Sequence, residues 1–133
     1  MTDLIIKAFF EVYNQLGYGF LEKVYANALQ NELANAGLKI ESQYPIQVFY
    51  HDKLVGEYIA DLIVDGLIII EIKAAKAVAL DHEAQLLNYL KATACEVGLL
   101  LNFGPKAEFK RKVFENSRKH VLNPRKSASK KKV

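Results

Sequence analysis

Apolar positions recur at helical spacing near the start of the chain and then at strand spacing, and each change of period marks a new element. Ile5, Ala8, Phe9, Val12 and Leu16 form one face of a first helix, which Thr2 or Asp3 can cap and Gly17 ends. Gly17-Tyr18-Gly19 is a tight connector. A second helix is expected over residues 20–36, with Leu21, Val24, Tyr25, Ala28, Leu29 and Leu33 turned inward and Gly37 as its stop. A long β segment follows. It begins at 38–43, is interrupted at Pro45, which belongs on an edge or at a bulge, and continues as 46–50 and 54–64 around a His51-Asp52-Lys53 turn, with Gly56 marking a bend. Residues 67–72 are an unbroken apolar run and should be buried on both faces. Beyond an alanine-rich loop at 74–80, Asp81 can cap a third helix carrying Ala84, Leu87, Leu90 and Lys91, with Gln85 and Tyr89 four apart on one side. Residues 97–101 make another apolar strand, expected to lie parallel to an earlier one through the helical crossover. Residues 102–105 read as a turn, and 108–114 as either an edge strand or a short helix.

Three charges interrupt the most apolar part of this pattern: Asp61, Glu71 and Lys73. Side chains alternate along a strand, so Glu71 and Lys73 point one way and Ile70 and Ile72 the other. Asp65-Gly66 is a hairpin signal that makes the Asp61 strand an antiparallel neighbour. A two-residue loop at 65 and 66 would set Asp61 against Ile70, on the face opposite Glu71. A three-residue loop, or one β-bulge, brings both carboxylates to one face. An irregularity between Asp61 and Glu71 is therefore expected, and a regular hairpin would remove any shared site.

An ionised group taken out of water is costly unless it is paired or holds a metal. Two neighbouring carboxylates repel, and one lysine is a poor reason to bury both. A divalent cation is a better one. Hard oxygen donors suit Mg²⁺, which takes one or two protein carboxylates and shares its remaining positions with water and phosphate oxygens. The pattern points to phosphodiester chemistry, with Lys73 beside the phosphate.

Asp61, nine intervening residues and then Glu71-Ile72-Lys73 resemble the core of the PD-(D/E)XK nuclease superfamily, with Ala60 where the name-giving proline would stand. Gln85-Leu86-Leu87-Asn88-Tyr89 is similar to the Gln-x-x-x-Tyr motif of the RecB-like branch, and Gly19-Phe20-Leu21-Glu22-Lys23-Val24-Tyr25 to the signature of the small GxxExxY family. Tyr18 stands between the two glycines where many relatives have proline, which bears on loop stiffness. Each motif alone is weak, but the three in this order are specific. The resemblance, from about Leu4 to about Val113, implies an α/β fold of the restriction-endonuclease-like kind: a three-layer core with a mixed central sheet flanked by helices. It also implies a Mg²⁺-dependent nuclease, with Mn²⁺ as a substitute ion, that hydrolyses nucleic acid, DNA first, leaving a 5′-phosphate and a 3′-hydroxyl. Asp61, Glu71 and the backbone carbonyl of Ile72 would hold the ion, Glu22 would reach it directly or through water, and Lys73 would orient the attacking water or offset developing charge. Gln85 would position Lys73 or a phosphate, supported by Tyr89. Without the motif, Glu22 reads as a surface carboxylate at a helix start and the Gln85–Tyr89 pair as surface decoration. Tyr25 reads as core. A rival is the same fold kept as a binding module without turnover. Such modules usually lose a ligand, whereas this chain keeps all four charged positions.

Composition changes the picture in one respect. The 133 residues suit one domain, expected over 1–123, and 51% apolar with 25% charged is ordinary for a globular chain. The net charge of +3 hides an asymmetry: residues 1–104 hold 7 Lys and Arg against 13 Asp and Glu, and residues 105–133 hold 11 against 2. Phosphate contacts are therefore expected from Lys106, Lys110, Arg111, Lys112 and a basic tail at 124–133. Lys76 faces either substrate or solvent, two readings that stand level. A single cysteine, Cys95, makes no internal disulfide and reads as an inert buried thiol. His82 has no partner at metal-ligand spacing and reads as a cap-region group, and His51 as a turn residue. The start of the chain lacks a signal-peptide pattern and no run approaches a membrane span, so a cytoplasmic protein is expected. Small relatives pair to contact two strands, which makes a homodimer the expectation from resemblance. Deleting residues 125–133 should flatten the slope of log affinity against log salt for nucleic acid, and an unchanged slope would remove the tail from the interface.

Overall fold

The computed structural model describes residues 1–119. The expected tail, with the end of the expected domain, lies outside the described residues. Helices α1 (Thr2–Leu16) and α2 (Glu22–Asn35) open the chain, followed by strands β1 (Ile40–Tyr50), β2 (Lys53–Val64) and β3 (Ile68–Lys73). Helix α3 (Leu80–Lys91) then leads to β4 (Val97–Phe103), β5 (Ala107–Val113) and a short 3₁₀ turn, Asn116–Arg118. The strands form one sheet in sequence order, with β3 and β4 parallel and the other neighbours antiparallel. Helix α3 is the crossover that a parallel pair needs. This is the mixed-sheet α/β architecture that the resemblance implies.

The two layers of core follow from the strand period of two. Ile68, Ile70 and Ile72, with Leu99, Leu101 and Phe103, pack under α1 and α2 against Phe9, Tyr25 and Leu29. Ile69 and Leu100, with Ile63 and Ala60, pack under α3 against Leu86, Tyr89 and Leu90. Both faces of β3 are covered, as its unbroken apolar run demands. Helix α3 comes close to β4 because Gly98 has no side chain: a Cβ there would sit 2.7 Å from Leu86 Cδ1.

Several local expectations are corrected. Neither Thr2 nor Asp3 caps α1, since the cap position is Met1 and no side-chain bond is made there. Helix α2 begins at Glu22, which leaves Leu21 81% exposed and Val24 exposed, while Tyr25, Leu29 and Leu33 are buried. Pro45 does not break the strand; β1 runs through it, because on the sheet edge a missing N–H need leave no ladder bond unmade. Helix α3 starts one residue before Asp81, its cap position is Ala79, and Leu86 rather than Ala84 faces the core. His82 does take the cap-region role, its Nδ1 accepting the Ala79 N–H at 3.2 Å. Asn102 and Phe103 belong to β4, and residues 107–113 settle as an edge strand. Gly56 lies beside a register shift between Val48 and Phe49.

Asn102 is fully buried, and the loop after β3 hangs from it. Its Oδ1 accepts the Ala75 N–H at 2.9 Å and its Nδ2 donates to the Ala75 carbonyl at 3.0 Å. Gly104 permits this approach, since a Cβ there would lie 2.2 Å from the Ala75 oxygen. Asn102→Leu removes both partners of the Ala75 backbone, so urea unfolding should show a loss of about 1–3 kcal/mol at constant m-value. Unchanged stability would mean that the loop is held by other contacts.

Candidate active site at a fork in the sheet

The β2–β3 connection carries the expected irregularity. Asp65 and Gly66 both have positive φ, 52° and 66°, and the Leu67 N–H donates to the Val64 carbonyl at 2.9 Å, closing a tight turn. Leu67 is the extra residue, so that Val64 pairs with Ile68, Ile63 with Ile69 and Leu62 with Ile70. One further step sets Asp61 opposite Glu71. There the ladder stops. The Asp61 N–H donates to Glu71 Oε2 at 2.9 Å and the Ile72 N–H donates to Asp61 Oδ2 at 2.7 Å, each bonding across the fork to a carboxylate. The other flank of Asp61 is irregular too: the β1–β2 register passes from Ser42 and Leu62 to Tyr44 and Ala60 without pairing Gln43 to Asp61. Gln43 has a φ of 53°, a conformation that non-glycine residues seldom adopt and that gathers at functional sites.

Burial and like charge act together on the pair. Burial pushes the Glu71 carboxyl up to about 8, helped by the neighbouring Asp61 charge and opposed by the Asp61 N–H and by Lys73. Asp61 is also raised, by burial first and then by Glu22, against the Ile72 N–H and Lys73. Tyr89 on α3 is buried beneath this charge and pushed up to about 12, by burial and then by Glu71 and Asp61. The expected approach of the Gln85–Tyr89 side of α3 to Glu71 is therefore present for Tyr89. Gln85 shares with Tyr89 and Tyr58 the lining of a hollow on that face.

Glu22 stands across a second hollow, of ≈ 440 Å³, on the α2 side, which it lines with Asp61 and Ile72. It is exposed at the first position of α2. Among the described residues no three His, Cys, Asp or Glu groups are gathered as a metal cluster. The structure thus brings Asp61 and Glu71 together, with Lys73 close enough to oppose the rise of both, and leaves Glu22 facing them. The basic residues fall on different faces. Lys76 is exposed on the wall of a third hollow beside Glu22 and Pro105, and Lys106 follows Pro105. Lys112 is 2.8 Å from Glu83, which it holds below the usual carboxylate range, and Lys110 adds to that effect. Arg111 alternates to the other face of β5.

The donor set fits a hard divalent cation. Each carboxylate gives one oxygen to the backbone and has a second one to offer. The two backbone amides engage Glu71 Oε2 and Asp61 Oδ2, and among the described residues Glu71 Oε1 and Asp61 Oδ1 accept no hydrogen bond. Two carboxylates suffice for an ion that keeps most of its water.

The sequence gives no sign of the Gln43 conformation. Asn102 did have one, an amide at the end of an otherwise apolar strand, the same kind of exception that singles out Glu71. Tyr25 is core, stacked on Phe103 at 4.2 Å, and also a bolt: its hydroxyl donates to the Gly17 carbonyl at 2.7 Å and accepts the Phe20 N–H at 3.2 Å.

Comparison with known proteins agrees with this geometry. A sequence model of the PD-(D/E)XK nuclease superfamily matches residues 1–112. Among solved structures, the crystal structure of SSO0001 is similar at 20% identity and a TM-score of 0.52, over 70% of this chain and 50% of that one. The chain spans about half the length of that structure, and the likeness is one of fold. A comparison with curated proteins finds no match. No helix among the described residues is long and apolar enough to cross a membrane.

A raised carboxyl makes stability depend on pH in a defined sense. The fold favours protonated Glu71, so this contribution is full below 4.5 and is lost as pH climbs through about 8. In EDTA, the thermal midpoint of the wild type should therefore fall more steeply over that interval than that of Glu71→Gln. At the alkaline end, added Mg²⁺ should raise the wild-type midpoint and not the variant's. Parallel curves would place the buried charge elsewhere.

Proposed function

The chain belongs to the PD-(D/E)XK nuclease superfamily, and from that premise we propose that the fork is the active site of a nuclease that cleaves phosphodiester bonds in nucleic acid, DNA in the first instance. The observation that carries this reading is the pair of interlocked carboxylates at the point where β2 and β3 part, with Lys73 two residues on. Asp61, Glu71 and the Ile72 carbonyl would hold Mg²⁺, for which Mn²⁺ can substitute, and Glu22 would reach it through water across the hollow. When bound, the cation supplies Lewis acidity, which favours ionisation of water and offsets charge on the scissile phosphate.

The remaining work falls to the chain's own groups. The Asp61 and Ile72 amides hold both carboxylates in place before any ligand arrives, so little reorganisation is left for the reaction. The Lys73 ammonium neutralises part of the acidic pair and stands ready to orient a water or a phosphate oxygen. Tyr89, buried on α3 and sensing the Glu71 charge, would keep bulk water from that side, and Gln85, on the same side of α3, would position Lys73 or the phosphate. Lys76 and Lys106 would meet substrate phosphates next to the site. Lys110, Arg111 and Lys112 would serve as more distant phosphate contacts, and Lys112 must exchange Glu83 for them.

Incubating the protein with nicked, branched and single-stranded DNA should give products with 5′-phosphates in Mg²⁺ or Mn²⁺ and none in EDTA. Glu71→Gln should cut at least about 10²-fold more slowly, the scale on which a pre-placed electrostatic group acts. Cleavage by Glu71→Gln at the wild-type rate would put the activity elsewhere. Binding of DNA without cleavage by either protein would identify a binding module on a nuclease fold.

A further inference from the structure

The connector between α1 and α2 is rigid by construction. Gly17 and Gly19 take φ values of 66° and 111°, which glycine adopts without a Cβ clash. The Tyr25 hydroxyl ties Gly17 to Phe20 from below. Phe20 sets its ring edge-on to Tyr25 at 6.1 Å and stays 49% exposed, and Tyr18 is 62% exposed. Aromatic rings are the side chains with most to gain from burial. Two held outward on a bolted loop are placed for something else to cover.

The surroundings say what. Tyr18 and Phe20 line a hollow of ≈ 600 Å³ whose other wall carries Lys76, Gly104 and Pro105. Glu22 lines both this hollow and the one lined by Asp61 and Ile72, so the two are neighbours on either side of a single side chain. A ring to stack on, an ammonium lining the same hollow and the fork's own hollow next door match successive parts of a strand: a base, its phosphate and the next phosphate along. A duplex presents no free base face here, whereas an unpaired strand does.

We propose that Tyr18, supported by Phe20, is a stacking platform for an unpaired base, which makes single-stranded nucleic acid, or the single-stranded part of a branched one, the substrate class. This deepens the reading of the fork as a nuclease site and rests on it for the direction in which the strand runs. On this reading Lys76 takes the phosphate beside the stacked base, the substrate side of its two expected roles.

The test is binding in EDTA, where no cleavage intervenes, of DNA and RNA oligomers carrying 2-aminopurine, beside a blunt duplex. The single strand should bind more tightly than the duplex, with a change in 2-aminopurine emission. Tyr18→Leu, apolar but without a ring, should lower single-strand affinity roughly ten-fold and abolish the emission change, while Tyr18→Phe should keep both. Its thermal midpoint should stay at the wild-type value, as for other exposed positions. Equal affinity for the two substrates, or Tyr18→Leu binding like the wild type, overturns the platform, as does sedimentation in which Tyr18→Leu turns a dimer into a monomer. The cleavage assay is separate: cutting without a Tyr18 effect removes the platform alone, and a Tyr18 effect without cutting removes the catalytic reading and leaves the platform standing.

Discussion

The rest of the molecule is arranged around two carboxylates that the sheet holds against their mutual repulsion. Two unit charges about 4 Å apart repel by roughly 4 kcal/mol at the effective dielectric of a protein site. Each fully buried Ile or Leu contributes about 1.5–3 kcal/mol in the other direction. Ile69, Ile70 and Ile72, which flank the acidic position on β3, are all fully buried, and the proton that Glu71 keeps below about 8 spares the empty fork its second charge. What keeps the carboxylates in register is the backbone. Each accepts an amide from the opposing strand, so moving either oxygen means moving a strand that is packed on both faces. A cation site built from side-chain contacts alone would lack that stiffness.

The sheet order makes the fork accessible. β3 and β4 are parallel, so the ends of both point the same way, and the loops that leave them, after Lys73 and after Phe103, meet at one edge. Crevices beyond the carboxyl ends of parallel strands are where ligands bind in open α/β sheets. Asn102 and the missing Gly104 side chain draw the first of these loops against the second, and the connector before α2 closes over them from the helical layer. Three segments far apart in the chain therefore line one opening, which no local pattern could have announced.

How much could be read from the chain follows from that distinction. The β3 strand, its parallel partner and the acidic pair were legible because each breaks or continues a hydrophobic period, and because Asp65-Gly66 ties Asp61 to Glu71 through a turn whose length can be counted. The three-residue connection was demanded by face alone, and Leu67 supplies it. Helix faces were less secure. Leu21 and Val24 continue an apolar pattern, yet the helix begins at Glu22 and turns them outward, since the connector is set by Tyr25 and by glycine dihedrals rather than by hydrophobicity. The basic residues were legible as a count and not as a surface: along β5 successive side chains alternate, so Arg111 parts from Lys110 and Lys112. Gln43 left no trace in the sequence, because a positive φ at a glutamine inside a strand breaks no hydrophobic period.

Glu22 shows why position matters more than formal charge here. It raises the proton affinity of both fork carboxylates while itself standing in solvent, so without a cation it works against ionisation of the pair. With a cation held at the fork as proposed, the sign would reverse: the same negative charge, across the hollow on the α2 side, would favour binding. A residue that burdens the empty site and supports the loaded one makes occupancy and ionisation a single event. Under the proposed function, that coupling is how a carboxyl as reluctant to ionise as Glu71 would serve as an anionic ligand near neutral pH.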